Sequence, residues 1–290
     1  MAETFTDDAV MSFSNSNLVS IKLKPWEDEN ASDLFDKYNG QAIPLLIYLN
    51  QDGQEVDRIL GFYPPDEYLS MIEDIYNGKN TYLSLKQKYL LGDYSSDVLS
   101  RLSEKCKVNH EQELCESVYG RIITLNSDFE APIIFQSELF FATKEMNKDI
   151  IDPMFRLLER YSNSEFISDV YSSIIRYFKS NGDTQKEAST FKEYTDQINN
   201  DPSILNQYAW RMTEIGVNFE DALAKSSLAI ELSIDNLPLK SYIIDTKAEL
   251  LWLLGRTQEA VEIIDIAIEI DPNSEYFKEQ KDKFQNSIKE

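Results

Sequence analysis

The sequence predicts a mainly α chain in which a short α/β segment leads into helical hairpins that stack to the C-terminus. Three observations carry that prediction. Strand-like alternation and a hairpin turn occur only before residue 62, and helical periodicity fills the rest. Residues 241–274 hold a two-helix pattern in which Ala248, Gly255, Ala260, Ala267 and Pro272 fall at fixed places, and Ala209, Gly216, Ala222 and Ala229 repeat it upstream. Gly and Pro number only nine each, and no low-complexity linker interrupts the chain. At 290 residues the length suits about two domains. The organisation reads as 1–80, α/β; 81–168, degenerate helical hairpins; and 169–290, regular hairpins with a terminal cap.

The first segment opens with a helical pattern, ETFTDDAVMSFSNS, in which Phe5, Val10 and Phe13 are apolar. Residues 17–24 alternate Val19, Ile21 and Leu23 with Ser20, Lys22 and Lys24, which predicts a strand. An amphipathic helix follows over 31–38 and ends at Gly40. Residues 43–49 form a largely apolar strand, Asp52-Gly53 marks a tight hairpin, and 56–62 is the partner strand. Pro65 starts a helix that reaches about Tyr76.

That order resembles the C-terminal two-thirds of the thioredoxin fold, and ETFTDDAV…NSNLVSIKL looks like the segment after the Cys-x-x-Cys helix in bacterial thioredoxin-like proteins. The resemblance implies that Pro44 stands in the place of the family's cis-proline. It further implies that Ile43, just before it, pairs with an extended substrate. The departure from the family matters more. No Cys-x-x-Cys exists in these residues, so disulfide exchange lacks both attacker and resolving thiol there. The resemblance implies that the family's first strands and active-site turn would precede Met1, so that Met1 reads either as an internal methionine of a longer chain or as the start of a naturally short one, and that the sheet without those strands is exposed along an edge.

Residues 81–168 read as short amphipathic helices with loops at Gly92-Asp93, Asn126-Ser127 and Ser162-Asn163. Phe129, Phe135, Phe140, Phe141, Phe155 and Tyr161 recur at helical spacing, as core residues do. Asn109 with Gln112 predicts a capping box, so one helix ends near Lys107 and the next begins at His110. Cys106 and Cys115, the only cysteines, flank that junction. They read as two buried small side chains, as a disulfide stapling the hairpin in an oxidising compartment, or as a redox or metal pair. One His and two thiols fall short of four metal ligands. His110 itself lies in His-Glu-Gln-Glu and reads as solvated. No cofactor is expected, since no glycine-rich phosphate loop is present. The paired carboxylates Asp7-Asp8 and Glu27-Asp28-Glu29 sit in polar stretches of a chain with 51 acids, where such pairs arise by chance.

In 241–274 two helices are separated by Gly255-Arg256-Thr257. Ala260 and Ala267, seven apart, share one face, and their short side chains let it approach Ala248 closely. Gly255 suits the left-handed position past the first helix's end. The pattern resembles the tetratricopeptide repeat, a helical hairpin of about 34 residues. Asp201-Pro202 precedes the earlier copy as Asp271-Pro272 closes the later one, and a weaker unit over 169–200 turns at Gly182-Asp183 with Ala188 as its small residue. A lone hairpin cannot bury both faces, so neighbours are required. Residues 274–289, short and highly charged, read as the polar helix that caps the array.

That resemblance implies a protein–protein interaction module whose first helices line a groove for extended peptides or partner helices. Counting from the repeat starts puts Asn206, Trp210 and Thr213 on this face, beside Tyr242, Asp245, Glu249 and Trp252. Both tryptophans read either as ligand anchors or as packing between hairpins, and Asp245 as a groove acceptor or a tie between helices. Composition narrows the partner. The net charge is −23, and the acidic excess is spread along the chain, with 15 acids and 5 bases in 1–80 and 16 and 9 in 203–290. Nucleic acid and anionic membrane surfaces are therefore poor partners. A protein or peptide with basic residues fits the field, which also serves solubility. No apolar run approaches the roughly 20 residues of a membrane span, so no membrane insertion is expected. Ala-Glu-Thr after Met1 does not read as a signal peptide, so the chain as given is expected in the cytoplasm, or in the periplasm if a longer parent carries one. The alternative function is enzymatic: a fragment of a thiol–disulfide oxidoreductase whose Cys-x-x-Cys lies upstream of Met1.

Overall fold

In the computed structural model, which describes residues 2–40, 42–109 and 111–288, the chain is mainly α, with one two-stranded sheet among the described residues. It divides into two compact units, Met1–Glu145 and Met146–Glu290.

Unit 1 begins with α1 (Ala2–Phe5) and α2 (Asp8–Asn17). One helical pattern becomes two helices because Asp7 restarts it: its carboxylate accepts from the Ala9 and Val10 amides, as an N-cap does. After α3 (Glu29–Lys37), β1 (Leu45–Leu49) and β2 (Glu55–Leu60) pair antiparallel, with Leu45 opposite Leu60 and Tyr48 opposite Asp57. Asn50 builds the turn, its side-chain oxygen accepting from the amides of Asp52 and Gln54, and Gly53 takes a φ of 74° that a Cβ would disfavour. The Ile43–Pro44 bond is cis. Then come α4 (Pro65–Tyr76), α5 (Tyr82–Leu90), α6 (Ser96–Asn109), α7 (Gln112–Thr124) and α8 (Ala131–Met146).

Among the described residues of this unit, two cores stand out. Val10, Ile59, Tyr68, Ile72 and Ile75 join α2, β2 and α4, and the Tyr48 and Tyr68 hydroxyls meet at 2.8 Å within that layer. Tyr82, Leu85, Leu99, Leu102, Cys106, Cys115, Val118 and Ile122 join α5, α6 and α7.

Two sequence expectations fail here. The strand expected over 17–24 is not in the sheet: its residues run without a ladder partner, and Val19 and Ile21 are 94% and 77% exposed. Alternation makes a strand only where an edge is available to pair with and a layer to cover one face. The capping box at Asn109 also fails. Helix α6 runs through Asn109, and α7 begins at Gln112 with Glu111 as its N-cap, without a side-chain cap bond. His110 lies outside the described residues.

Unit 2 is a stack of antiparallel helical hairpins. After α9 (Asp152–Arg160) come α10 (Ile167–Ser180), α11 (Thr184–Gln197), α12 (Pro202–Ile215), α13 (Phe219–Leu232), α14 (Leu237–Leu253), α15 (Thr257–Ile270) and α16 (Glu275–Ser287). The hairpins are α10–α11, α12–α13 and α14–α15, and α16 packs on the last of them. Gly216 and Gly255 end α12 and α14 with φ of 74° and 77°. Ala209, Ala222, Ala229, Ala248, Ala260 and Ala267 are all fully buried. The spacing of small residues is thus a packing code. Helix α14 is buried on several sides, from Ile243, Ile244 and Ala248 to Leu250 and Leu251, because α12, α13, α15 and α16 all touch it.

Candidate functional site

The residues singled out on α12 and α14 form two rows, each set by helical spacing. On α12, Asn206 and Trp210 are one turn apart, and Thr213 follows. The Asn206 Oδ1 is enclosed and has no hydrogen-bond partner. Trp210 is 38% exposed, and the Thr213 hydroxyl, half-buried, donates to the Trp210 carbonyl at 2.6 Å.

The α14 row has a different fate. All four of its members meet α16. Tyr242 packs edge-on against Phe277, with ring centres 5.7 Å apart, yet stays 59% exposed. Asp245 is buried and accepts from the Tyr276 hydroxyl at 3.0 Å through one oxygen, while its other oxygen is enclosed and unpartnered. Burial pushes the Asp245 carboxyl up to about 6; the Tyr276 bond and Lys283 oppose the rise, and Glu249 adds to it. Glu249 holds Lys283 at 2.6 Å. Trp252 donates from Nε1 to the Ser287 hydroxyl at 2.9 Å, packs against Phe284, and carries the Lys283 ammonium 4.2 Å from its ring centre. Of the two readings of Trp252, packing between helices is the one its contacts describe.

Sequence reading missed the α16 half of this arrangement. Tyr276 and Lys283 are seven residues apart and so share a face, a signal hidden inside a segment whose charge suggested only a solvated cap. It also missed the ion pairs that fasten α11 to its neighbours. Arg211 grips Glu187 through two nitrogens at 2.6 and 3.0 Å, with the Glu187 side chain almost wholly buried. Tyr208 donates to Asp221 at 2.7 Å, and Lys192 bridges Asp221 and Asp196 at 3.1 and 2.8 Å.

Ile43 and Pro44 belong to unit 1. Ile43 is 58% exposed, and the Pro44 carbonyl accepts from the Gly61 amide at 3.0 Å. Cys106 and Cys115 are both buried and free. Among the described residues no cluster of His, Cys, Asp and Glu has the makings of a metal site, and no helix is long and apolar enough to cross a membrane.

No protein-family model matches the chain, and no curated protein matches it. Among solved structures it is similar to the crystal structure of YrrB, described as a TPR protein with an unusual peptide-binding site. That superposition has a TM-score of 0.45 at 14% identity and covers 68% of this chain and 97% of the other. A likeness that loose assigns neither family nor ligand.

Proposed function

We propose that the hairpins of unit 2 are a tetratricopeptide-type array and that their work is protein–protein interaction, with a peptide or protein segment lying along α12. One observation carries this reading: the Trp210 indole is 38% exposed on a helix whose Tyr208, Ala209 and Met212 are fully buried. An exposed indole is the side chain most enriched among binding anchors. Tyr242 is the member of the α14 row open to the same ligand, since Asp245, Glu249 and Trp252 already have partners on α16. The net charge of −23 favours a segment with Lys or Arg near an apolar residue.

The full chain is titrated with labelled peptides that combine basic and apolar residues. Binding should weaken by at least about fivefold in Trp210→Ala, the equivalent of about 1 kcal/mol. It should also weaken with salt, as the Debye length falls from about 10 Å at 0.1 M to about 3 Å at 1 M. Unchanged affinity in both Trp210→Ala and Asn206→Ala, with folding intact, removes α12 from the site.

A second reading assigns residues 1–80 to the C-terminal part of a thioredoxin-like fold and the chain to a thiol–disulfide oxidoreductase. Its support is the succession of β1, the Asn50–Gln54 turn, β2 and α4. With no Cys-x-x-Cys in the sequence, negligible insulin reduction is expected of this chain. Turnover that vanishes when Cys106 and Cys115 are both replaced by Ser would refute that expectation.

A further inference from the structure

Helices α6 and α7 pack side by side as an antiparallel pair with a short connection. Their register is marked by the Tyr119 hydroxyl, which donates to the Ser103 carbonyl at 3.2 Å. From that bond, one turn forward along α6 and one turn back along α7 lead to Cys106 and Cys115. Both side chains are buried in one core, at matching levels of the two helices. Cys115 sits in the first turns of α7, where the helix N-terminus favours a thiolate. Around the pair stand Tyr82, Tyr119 and Glu111, which holds Lys86 at 2.7 Å.

We propose that Cys106 and Cys115 are a redox pair that closes reversibly into a disulfide stapling α6 to α7, with a low-molecular-weight disulfide as the oxidant. The Cys115 thiolate attacks one sulfur of that disulfide, breaking its S–S bond, forming a mixed disulfide and releasing one thiolate, which takes up a proton. Cys106 then loses its proton and attacks the Cys115 sulfur, forming the Cys106–Cys115 bond and expelling the second small thiol. Two protein thiols lose two electrons and two protons, and one small disulfide becomes two thiols.

The direction of attack follows from the pair's own chemistry. Interaction with its partner thiol, joined by burial, pushes Cys106 up, and interaction with Cys106 holds Cys115 down against burial. Burial also means that the oxidant enters when the hairpin opens locally, so the pair acts as a slow staple rather than a turnover catalyst. Its place gives the staple a consequence. The same end of α6 grips the sheet, where Lys105 meets Asp57 at 2.5 Å and Arg58 donates to the Val108 carbonyl at 3.5 Å. Oxidation therefore fixes the junction of α6 with β2.

The reduced full chain, in native buffer, is incubated with oxidised glutathione, then quenched in acid, unfolded and treated with a maleimide. Intact mass should show loss of two hydrogens and no maleimide uptake. Peptide mapping should join the segments holding Cys106 and Cys115, and a dithiol reductant should restore two maleimide sites. Cys106→Ser should instead stop at a stable glutathione adduct on Cys115. The wild-type mass and map decide the matter even if that variant does not fold. Two free thiols after an exposure that oxidises the chain in denaturant, or a wild-type product that stops at the mixed disulfide, would overturn the proposal.

Discussion

The hairpins of unit 2 and residues 18–26 of unit 1 treat apolar side chains in opposite ways. In unit 2 the fixed alanines are fully buried, and the positive-φ glycines Gly182, Gly216 and Gly255 follow the ends of α10, α12 and α14. In unit 1, Val19, Ile21 and Trp26 stand 94%, 77% and 65% exposed along a segment that joins no sheet. The difference lies in where each pattern finds its partner. A helical hairpin meets its next neighbour a few residues further along the chain, so local sequence and final packing agree. A strand needs an edge that its own sequence does not specify. The contrast is sharpest where one aromatic ring is sealed and another is bare.

Phe284, fully buried under α14, is the sealed one, and its loss should have the largest effect. Phe284→Ala is expected to cost about 3–5 kcal/mol by cavity formation and lost contact. Because α16 contacts only the end of the stack, part of that cost should appear as undocking of α16 before the rest unfolds. Trp252, which loses Phe284 from beside its ring, should report this as a red-shifted emission. Trp26 and Trp210 are already exposed and should change little. A melting curve and emission maximum equal to those of the parent would mean that α16 does not seal the stack.

The next effect down belongs to Asp245. Its folded carboxyl is raised to about 6 by burial, against about 3.9 when unfolded. The folded state therefore binds a proton that the unfolded state releases between these values. The stabilising contribution is complete below about pH 4 and is lost as pH rises through about 6, amounting to about 2–3 kcal/mol at about 1.4 kcal/mol per unit. Asp245→Asn keeps an acceptor for Tyr276 and removes the titration. Relative to the parent, it should be more stable at pH 7 than at pH 4 by about that amount. Parallel stability curves for the two proteins across that range would show that Asp245 is not desolvated.

How much of this was legible follows from the same contrast. The turn at Gly255, the buried faces of Ala260 and Ala267, the Asn50–Gln54 hairpin and the cap at α16 all rest on short-range chemistry, and residue types reveal such chemistry. The α12 row was also readable, because helical spacing alone puts Asn206 and Trp210 on one face. What α14 faces was not readable. The partners of Asp245, Glu249 and Trp252 are 31 to 35 residues away, on a helix whose polar composition concealed its Tyr276–Lys283 face. The junction at 107–112 misled for another reason: Asn109 with Gln112 has the composition of a capping box, yet α6 continues through Asn109. A cap residue acts only where the backbone has already left the helix.

The smallest effect tests the bare side of the comparison. Val19 and Ile21 are exposed in a segment that has no ladder partner, and Lys22 and Lys24 alternate with the apolar residues in sequence. If water covers these side chains in the folded and unfolded states alike, replacing them changes little beyond β propensity. Val19→Thr and Ile21→Thr should then each shift unfolding free energy by no more than about 0.5 kcal/mol, the range of ordinary surface changes. The same substitutions under a covering layer would lose buried methyl and methylene groups at about 0.8 kcal/mol per CH₂ and leave a hydroxyl needing a partner. Chemical denaturation of the two single variants and the double variant separates these cases. Additive losses near zero keep the row solvated. A double-variant loss above about 2 kcal/mol, several times the surface range, would mean that something covers residues 19–21 in solution and would break the contrast with the hairpins.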